Sequence, residues 1–197
     1  MAVLQRELES SPIQEAEILA VASIATPLDL ANVTLPWALE GRAVSHSTYL
    51  AYIAHSYSHA YNQPLESLFT DHAAMLVKDL FDGLHVGDDI MRQLPPTPLP
   101  MFRDSWVQSY GVGESSWFRD ALEENEAFDL APRAPLRLCY GEADVDVPPI
   151  DALLGAQKMR ELGGKVEVVP AGDFEHTSVV YHAVPLVQEW FGRVSRT

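Results

Sequence analysis

The chain has 197 residues, 47% of them apolar, and a formal net charge of −15 at pH 7. That length and apolar content suit one domain of ordinary size with a substantial core. The charge argues against nucleic acid and anionic membrane surfaces as partners, because both require basic patches. It leaves neutral small-molecule substrates open. No apolar run approaches the ~18 residues needed to cross a bilayer. Residues 1–9 mix both charge signs and lack the long apolar stretch of a secretory leader. Localisation therefore stays unknown: cytoplasmic if Met1 is the true start, secreted if a missing N-terminal half carries a leader. The single cysteine, Cys139, excludes an internal disulfide framework. It lies within an apolar run with no adjacent base and reads as a buried structural thiol.

Residues 2–9 predict a short helix, closed by Ser10, Ser11 and Pro12. The almost unbroken apolar run 16–25, stopped by Thr26 and Pro27, predicts a buried strand of a parallel sheet, although its alanines leave a helix possible. From Leu35 to Asp129 the pattern turns helical and irregular. Leu65, Leu68, Phe69, Ala73, Leu76, Val77 and Leu80 follow a 3.6 period and predict a helix over 65–81. Pro95 to Pro100 predicts a stiff, non-helical linker, and 116–125 another short helix. Such a stretch between two strands far exceeds an ordinary crossover and predicts a helical cap inserted over 35–129.

Regular alternation then returns. Residues 136–140 predict a strand. Pro148 and Pro149 open a helix that Gly163 and Gly164 close. Residues 166–170 predict the next strand. After a loop, 184–194 predict a closing helix with Leu186, Val187, Trp190, Phe191 and Val194 on its apolar side. This order implies an α/β class, a mostly parallel sheet with flanking helices formed by 1–34 and 130–197.

The chemistry-bearing residues sit at the ends of the last two strands. Asp144 follows the first strand and its Gly141 turn, and His176 follows the second. An acid and a histidine delivered this way are the orienting and proton-transferring members of a Ser-His-Asp triad. Asp146 is the alternative acid, its structural role otherwise being to cap the helix at Pro148 and Pro149.

Here the residues resemble a family. Ala131 to Pro135, Tyr140 to Pro148, Glu175-His176 and Glu189-Trp190-Phe191 are similar to the C-terminal part of α/β-hydrolases. Ala25 to Leu30, Leu80 to Gly83, Leu94-Pro95, Met101-Phe102 and Leu122 to Asn125 resemble a bacterial esterase- and lipase-like subgroup. The resemblance implies a partial α/β-hydrolase fold and a serine hydrolase acting on carboxylic esters. His176 would be its general base and Asp144 its orienting acid, with no cofactor. In that family the order is serine, acid, histidine, with the serine on a G-x-S-x-G elbow. No such elbow occurs in this chain, so the resemblance places the nucleophile upstream of Met1. The alternative is a truncated, non-catalytic relative that binds a ligand or partner chain. An open sheet edge left by missing strands would favour self-association.

Three further features have two readings each. His55 and His59, at i and i+4, match the spacing of a zinc-binding helix face. They lack the H-E-x-x-H glutamate and an identified third ligand, so the expectation is a polar helix face and no metal. Ser115 and Ser116 follow Gly111 and Gly113 in a stretch that superficially resembles a nucleophile turn. Without the second elbow glycine or a preceding strand, it reads as a plain loop. The same glycines make no phosphate loop, because no G-K-[ST] follows. Tyr49, Tyr52, Tyr57, Tyr61 and Phe69 either line an acyl pocket or pack the cap's own core.

Overall fold

The structure, a computed structural model, describes residues 18–43 and 45–196. The helix expected over 2–9 and the start of the run 16–25 lie outside the described residues. The chain divides into two compact units. One takes the described residues up to Thr34 together with those from Glu126 onward; the other is Leu35–Asn125.

The first unit is built on three parallel strands, β1 (Val21–Ile24), β2 (Leu136–Tyr140) and β3 (Val166–Pro170), in the order β1-β2-β3. Val21 lies opposite Leu136, and Leu136 opposite Val166. Helices α7 (Pro149–Glu161) and α8 (His176–Val194) flank the sheet. Alternation along β2 assigns its two faces. Leu136 and Leu138 pack with Leu28, Ala152, Ala156, Met159 and Val166, the α7 side of the core. Cys139 packs with Ala183 and Val187 of α8. The polar exception on β2, Arg137, stacks its guanidinium over Trp190 at 4.8 Å and pairs with Glu167 on β3. Its charge is compensated where its stem is buried.

In this unit two boundaries differ from the sequence expectation. The first strand occupies Val21–Ile24, shorter than the apolar run suggested. The closing helix starts at His176, not at 184, and runs through Pro185. Pro185 reads as a boundary because it lacks an N–H and crowds the preceding turn. Val179, Ala183, Val187 and Trp190 nonetheless form one buried face along the helix. Burial of that face on both sides of the proline outweighs the single lost hydrogen bond.

The second unit is helical: α1 (Leu35–Leu39), α2 (Ser45–Ala60), α3 (Asp71–Leu80), α4 (Gly87–Gln93), α5 (Asp104–Gly111) and α6 (Trp117–Glu124). The helix expected over 65–81 is broken. A short 3₁₀ turn, Leu65–Ser67, precedes α3, whose first turn is capped by the Thr70 hydroxyl accepting from the Ala73 N–H. Backbone bonds from Thr70 N–H to Met101 and from Arg103 N–H to Leu68 hold the intervening segment extended beside Phe102. The expected linker at 95–100 also ends differently, because Leu99–Met101 forms a 3₁₀ turn that includes Pro100. No helix of the described residues is long and apolar enough to cross a membrane.

Candidate active site

Gly141 lies at the point where β2 gives way to its loop. A Cβ built there would stand 2.1 Å from the carbonyl oxygen of Phe174, two residues before His176. Only the absence of a side chain lets the two loops come this close. They are then stitched together, with the Ala171 N–H donating to Tyr140 and the Glu142 N–H to Gly172, both at 2.9 Å. Gly172 itself has φ +113°, a conformation that favours glycine.

This stitching brings Asp144 and His176 together. The His176 Nδ1–H donates to Asp144 Oδ2 at 2.9 Å. Asp144 Oδ1 accepts from the backbone N–H groups of Asp146 and Val147, both at 2.9 Å. The Asp144 side chain is 1% exposed and that of His176 is 25% exposed. The carboxylate is therefore buried but saturated with donors, the condition under which a buried charge is tolerated. With its proton held on Nδ1, the imidazole carries its basic lone pair on Nε2.

The Asp144 hydrogen bond holds the His176 imidazole above its ordinary pKa, against the opposing effect of burial. The charges of Asp144 and Asp146 add to the rise. The folded state thus binds this proton more tightly than the unfolded chain. The pair's contribution to stability is fully present below about pH 6.5 and lost as pH rises through the raised value. Expected outcomes follow for two measurements. NMR titration of His176 should give a midpoint above about 6.5 that falls in Asp144→Asn. The stability gap between the parent and His176→Gln should be wider near about pH 6 than near about pH 9. A gap independent of pH would remove the charged pair from the energetics of the fold.

Asp146 lies in the same cluster: one ligand-type atom from each of Asp144, Asp146 and His176 falls within 4.8 Å of the others. The N-cap of α7 is Pro148, with no side-chain cap bond. The three residues have the composition of a cation site, but both Asp144 oxygens are already engaged by N–H donors.

The other candidates have structural tasks. Ser115 donates to Asp120 at 2.9 Å. Ser116 caps α6, accepting from the Arg119 N–H, and also accepts from Trp106 Nε1 at 3.2 Å. Cys139 is buried in β2, and that burial pushes its thiol up. Phe69 is fully buried, with its ring 4.9 Å from that of Phe102. Tyr57 meets Tyr61 and Phe118, whereas Tyr49 and Tyr52 are exposed. Packing within the helical unit accounts for the inner members of this aromatic group. The His55 and His59 rings stand edge to face, centroids 4.7 Å apart. Burial, then His59, then Lys78 hold the His55 imidazole below its ordinary pKa.

Sequence reasoning missed Asp151. It is fully buried on α7 and accepts from the Leu28 N–H at 3.1 Å, the Asp29 N–H at 2.9 Å and the Thr34 hydroxyl at 2.9 Å. It fastens the segment that leaves β1 onto the helix following Asp144. Burial pushes its carboxyl up, opposed by those three donors. Its position after two prolines at a helix start was the available signal, but its partners lie more than a hundred residues away.

No protein-family model and no curated protein sequence matches the chain. Solved structures do. A Legionella pneumophila protein assigned to the hydrolases matches with a TM-score of 0.87 and 23% identity, over 100% of this chain and 53% of its own. The rice cell wall degrading esterase LipA of Xanthomonas oryzae matches with a TM-score of 0.78 and 23% identity, over 93% of this chain and 51% of its own. This chain has an α/β-hydrolase-type fold. Candida antarctica lipase A, in its closed state, matches more distantly, with a TM-score of 0.60 and 13% identity over 89% of this chain and 41% of its own. The chain spans about half the length of the hydrolase structures it matches. What is described is thus part of an α/β-hydrolase-type architecture, with the hydrogen-bonded acid and histidine at the carboxyl ends of adjacent parallel strands.

Proposed function

We propose that this chain contributes the base and the orienting acid of a serine hydrolase acting on carboxylic esters. The observation that carries the reading is the 2.9 Å bond from His176 Nδ1–H to Asp144 Oδ2, on a carboxylate already fixed by two backbone donors. In this mechanism His176 Nε2 takes the proton of a serine hydroxyl as that oxygen attacks the ester carbonyl. It then returns the proton to the leaving alcohol, and repeats the exchange with water to release the acid. Asp144 keeps the proton on Nδ1 and stabilises the imidazolium formed in each half-reaction. No G-x-S-x-G occurs among the 197 residues. The nucleophile in this proposal is therefore a serine on polypeptide preceding Met1, consistent with structural matches about twice as long as this chain. In this reading the helical insertion over 35–129 is the cap and selects the acyl or alcohol group.

The 197 residues alone are expected to show no ester hydrolysis above background and no labelling by a serine-directed fluorophosphonate. Acid and base without a nucleophile form no acyl-enzyme. Joined to a preceding segment that carries an elbow serine, the protein should hydrolyse short-chain aryl esters and be labelled at that serine. Stoichiometric labelling of Ser115 or Ser116 in the 197-residue chain would relocate the nucleophile and overturn this assignment.

A further inference from the structure

We propose that His55 and His59, near the C-terminal end of α2, form a binding site for a late first-row divalent cation: Cu²⁺, Ni²⁺ or Zn²⁺. The two imidazoles lie one helical turn apart with ring centroids 4.7 Å apart, edge to face, so both can direct a nitrogen toward a single ion. Phe81 stacks on the His55 ring at 5.9 Å, which fixes its plane. The His55 Nδ1 is buried and accepts or donates no hydrogen bond. No protein hydrogen bond to His55 Nδ1 has to break for this imidazole to take a ligand.

A cavity of about 540 Å³ opens beside the pair, lined among others by Ser58, Asn62, Gln63 and Lys78. The first three bring a hydroxyl and two amides to its lining, and the cavity has room for water at the remaining coordination positions. An oxyanion is the rival occupant, because Lys78 faces the same cavity. Three facts disfavour it. The Lys78 ammonium is already paired with the Glu66 carboxylate. The carboxyl end of a helix carries partial negative charge. A chain of net charge −15 attracts cations and repels anions at long range. Imidazole nitrogens prefer Cu²⁺, Ni²⁺ and Zn²⁺ over Mg²⁺ and Ca²⁺, which require oxygen ligands. The ion would not participate in the ester chemistry proposed above, and the site does not depend on that proposal.

The test is titration of the full 197-residue chain with Zn²⁺ and with Cu²⁺, followed by calorimetry and by electron paramagnetic resonance of the copper form. The expected result is binding of one ion per chain, nitrogen hyperfine structure from two imidazoles, and no comparable binding of Mg²⁺. His59→Ala should weaken binding by about tenfold or more while leaving the far-ultraviolet circular dichroism unchanged, since His59 is exposed. His55→Gln should do the same. His176→Ala should leave binding intact, which separates this site from the Asp144, Asp146 and His176 cluster. Binding abolished by His176→Ala, binding unchanged in both His59→Ala and His55→Gln, or inorganic phosphate protecting the pair where Zn²⁺ and Cu²⁺ do not, would each overturn the proposal.

Discussion

In the protein that carries the serine, His176→Ala is expected to lower kcat/KM on short-chain aryl esters by about 10⁴-fold, close to 5 kcal/mol of transition-state stabilisation. Without the imidazole the serine hydroxyl remains a weak nucleophile near neutral pH. Asp144→Asn should be nearly as severe, and the hydrogen bonds show why. Asp144 Oδ1 faces the N–H groups of Asp146 and Val147. An asparagine must keep its carbonyl oxygen there, since turning its amide toward two N–H donors would leave all three unsatisfied. Its NH₂ then points at His176 Nδ1 and donates to it, which puts the ring proton on Nε2 and removes the base. Asp146→Asn leaves the Nδ1 bond intact and should reduce turnover far less. Measuring kcat/KM for the three variants beside the parent decides the assignment. Near-parental turnover in His176→Ala would eliminate the base, and a larger loss at Asp146 than at Asp144 would transfer the acid role.

Gly141→Ala should damage both the site and the fold, although it adds one methyl group and removes no functional one. Gly141 is not among the residues with positive φ, so the requirement there is for space. The new Cβ would lie 2.1 Å from the Phe174 carbonyl oxygen and 3.2 Å from the Val179 side chain, and the first of these is backbone. Relief requires the loop carrying His176 to move away from the loop carrying Asp144. A misplacement of about 1 Å in a catalytic group costs on the order of 10²-fold in rate. Forcing an extra carbon into a packed site costs about 1–3 kcal/mol of stability. The expected result is a lower Tm in the 197-residue chain and weakening of the downfield Nδ1–H resonance of His176. In the serine-bearing protein, kcat should fall with little change in KM. A parental Tm together with an unshifted Nδ1–H signal would show that the two loops do not need the contact.

Much of the α/β unit was legible in the sequence because its signals are local. The residues of β2 and β3 are short apolar runs with turns on either side. Prolines open α7 and glycines follow it, and Asp144 and His176 stand at the ends of successive strands. These features depend on neighbours a few positions away, so reading along the chain finds them. Tertiary structure decided what depends on residues far apart. Pro185 is a stop signal by local chemistry, yet α8 continues through it because Val179, Ala183, Val187 and Trp190 bury one continuous face. The periodic run over 65–81 is interrupted because Leu68 and Thr70 exchange backbone bonds with Arg103 and Met101. Asp151 gains its role from Leu28, Asp29 and Thr34, which it meets only after the sheet has formed. The spacing of Asp144 and His176 identified the pair; the close approach at Gly141 and the two N–H donors on Asp144 Oδ1 determine which oxygen meets which nitrogen. Residue types and local order thus follow from the sequence alone, whereas hydrogen-bond direction and burial arise only when distant segments pack, because each depends on which partners displace water.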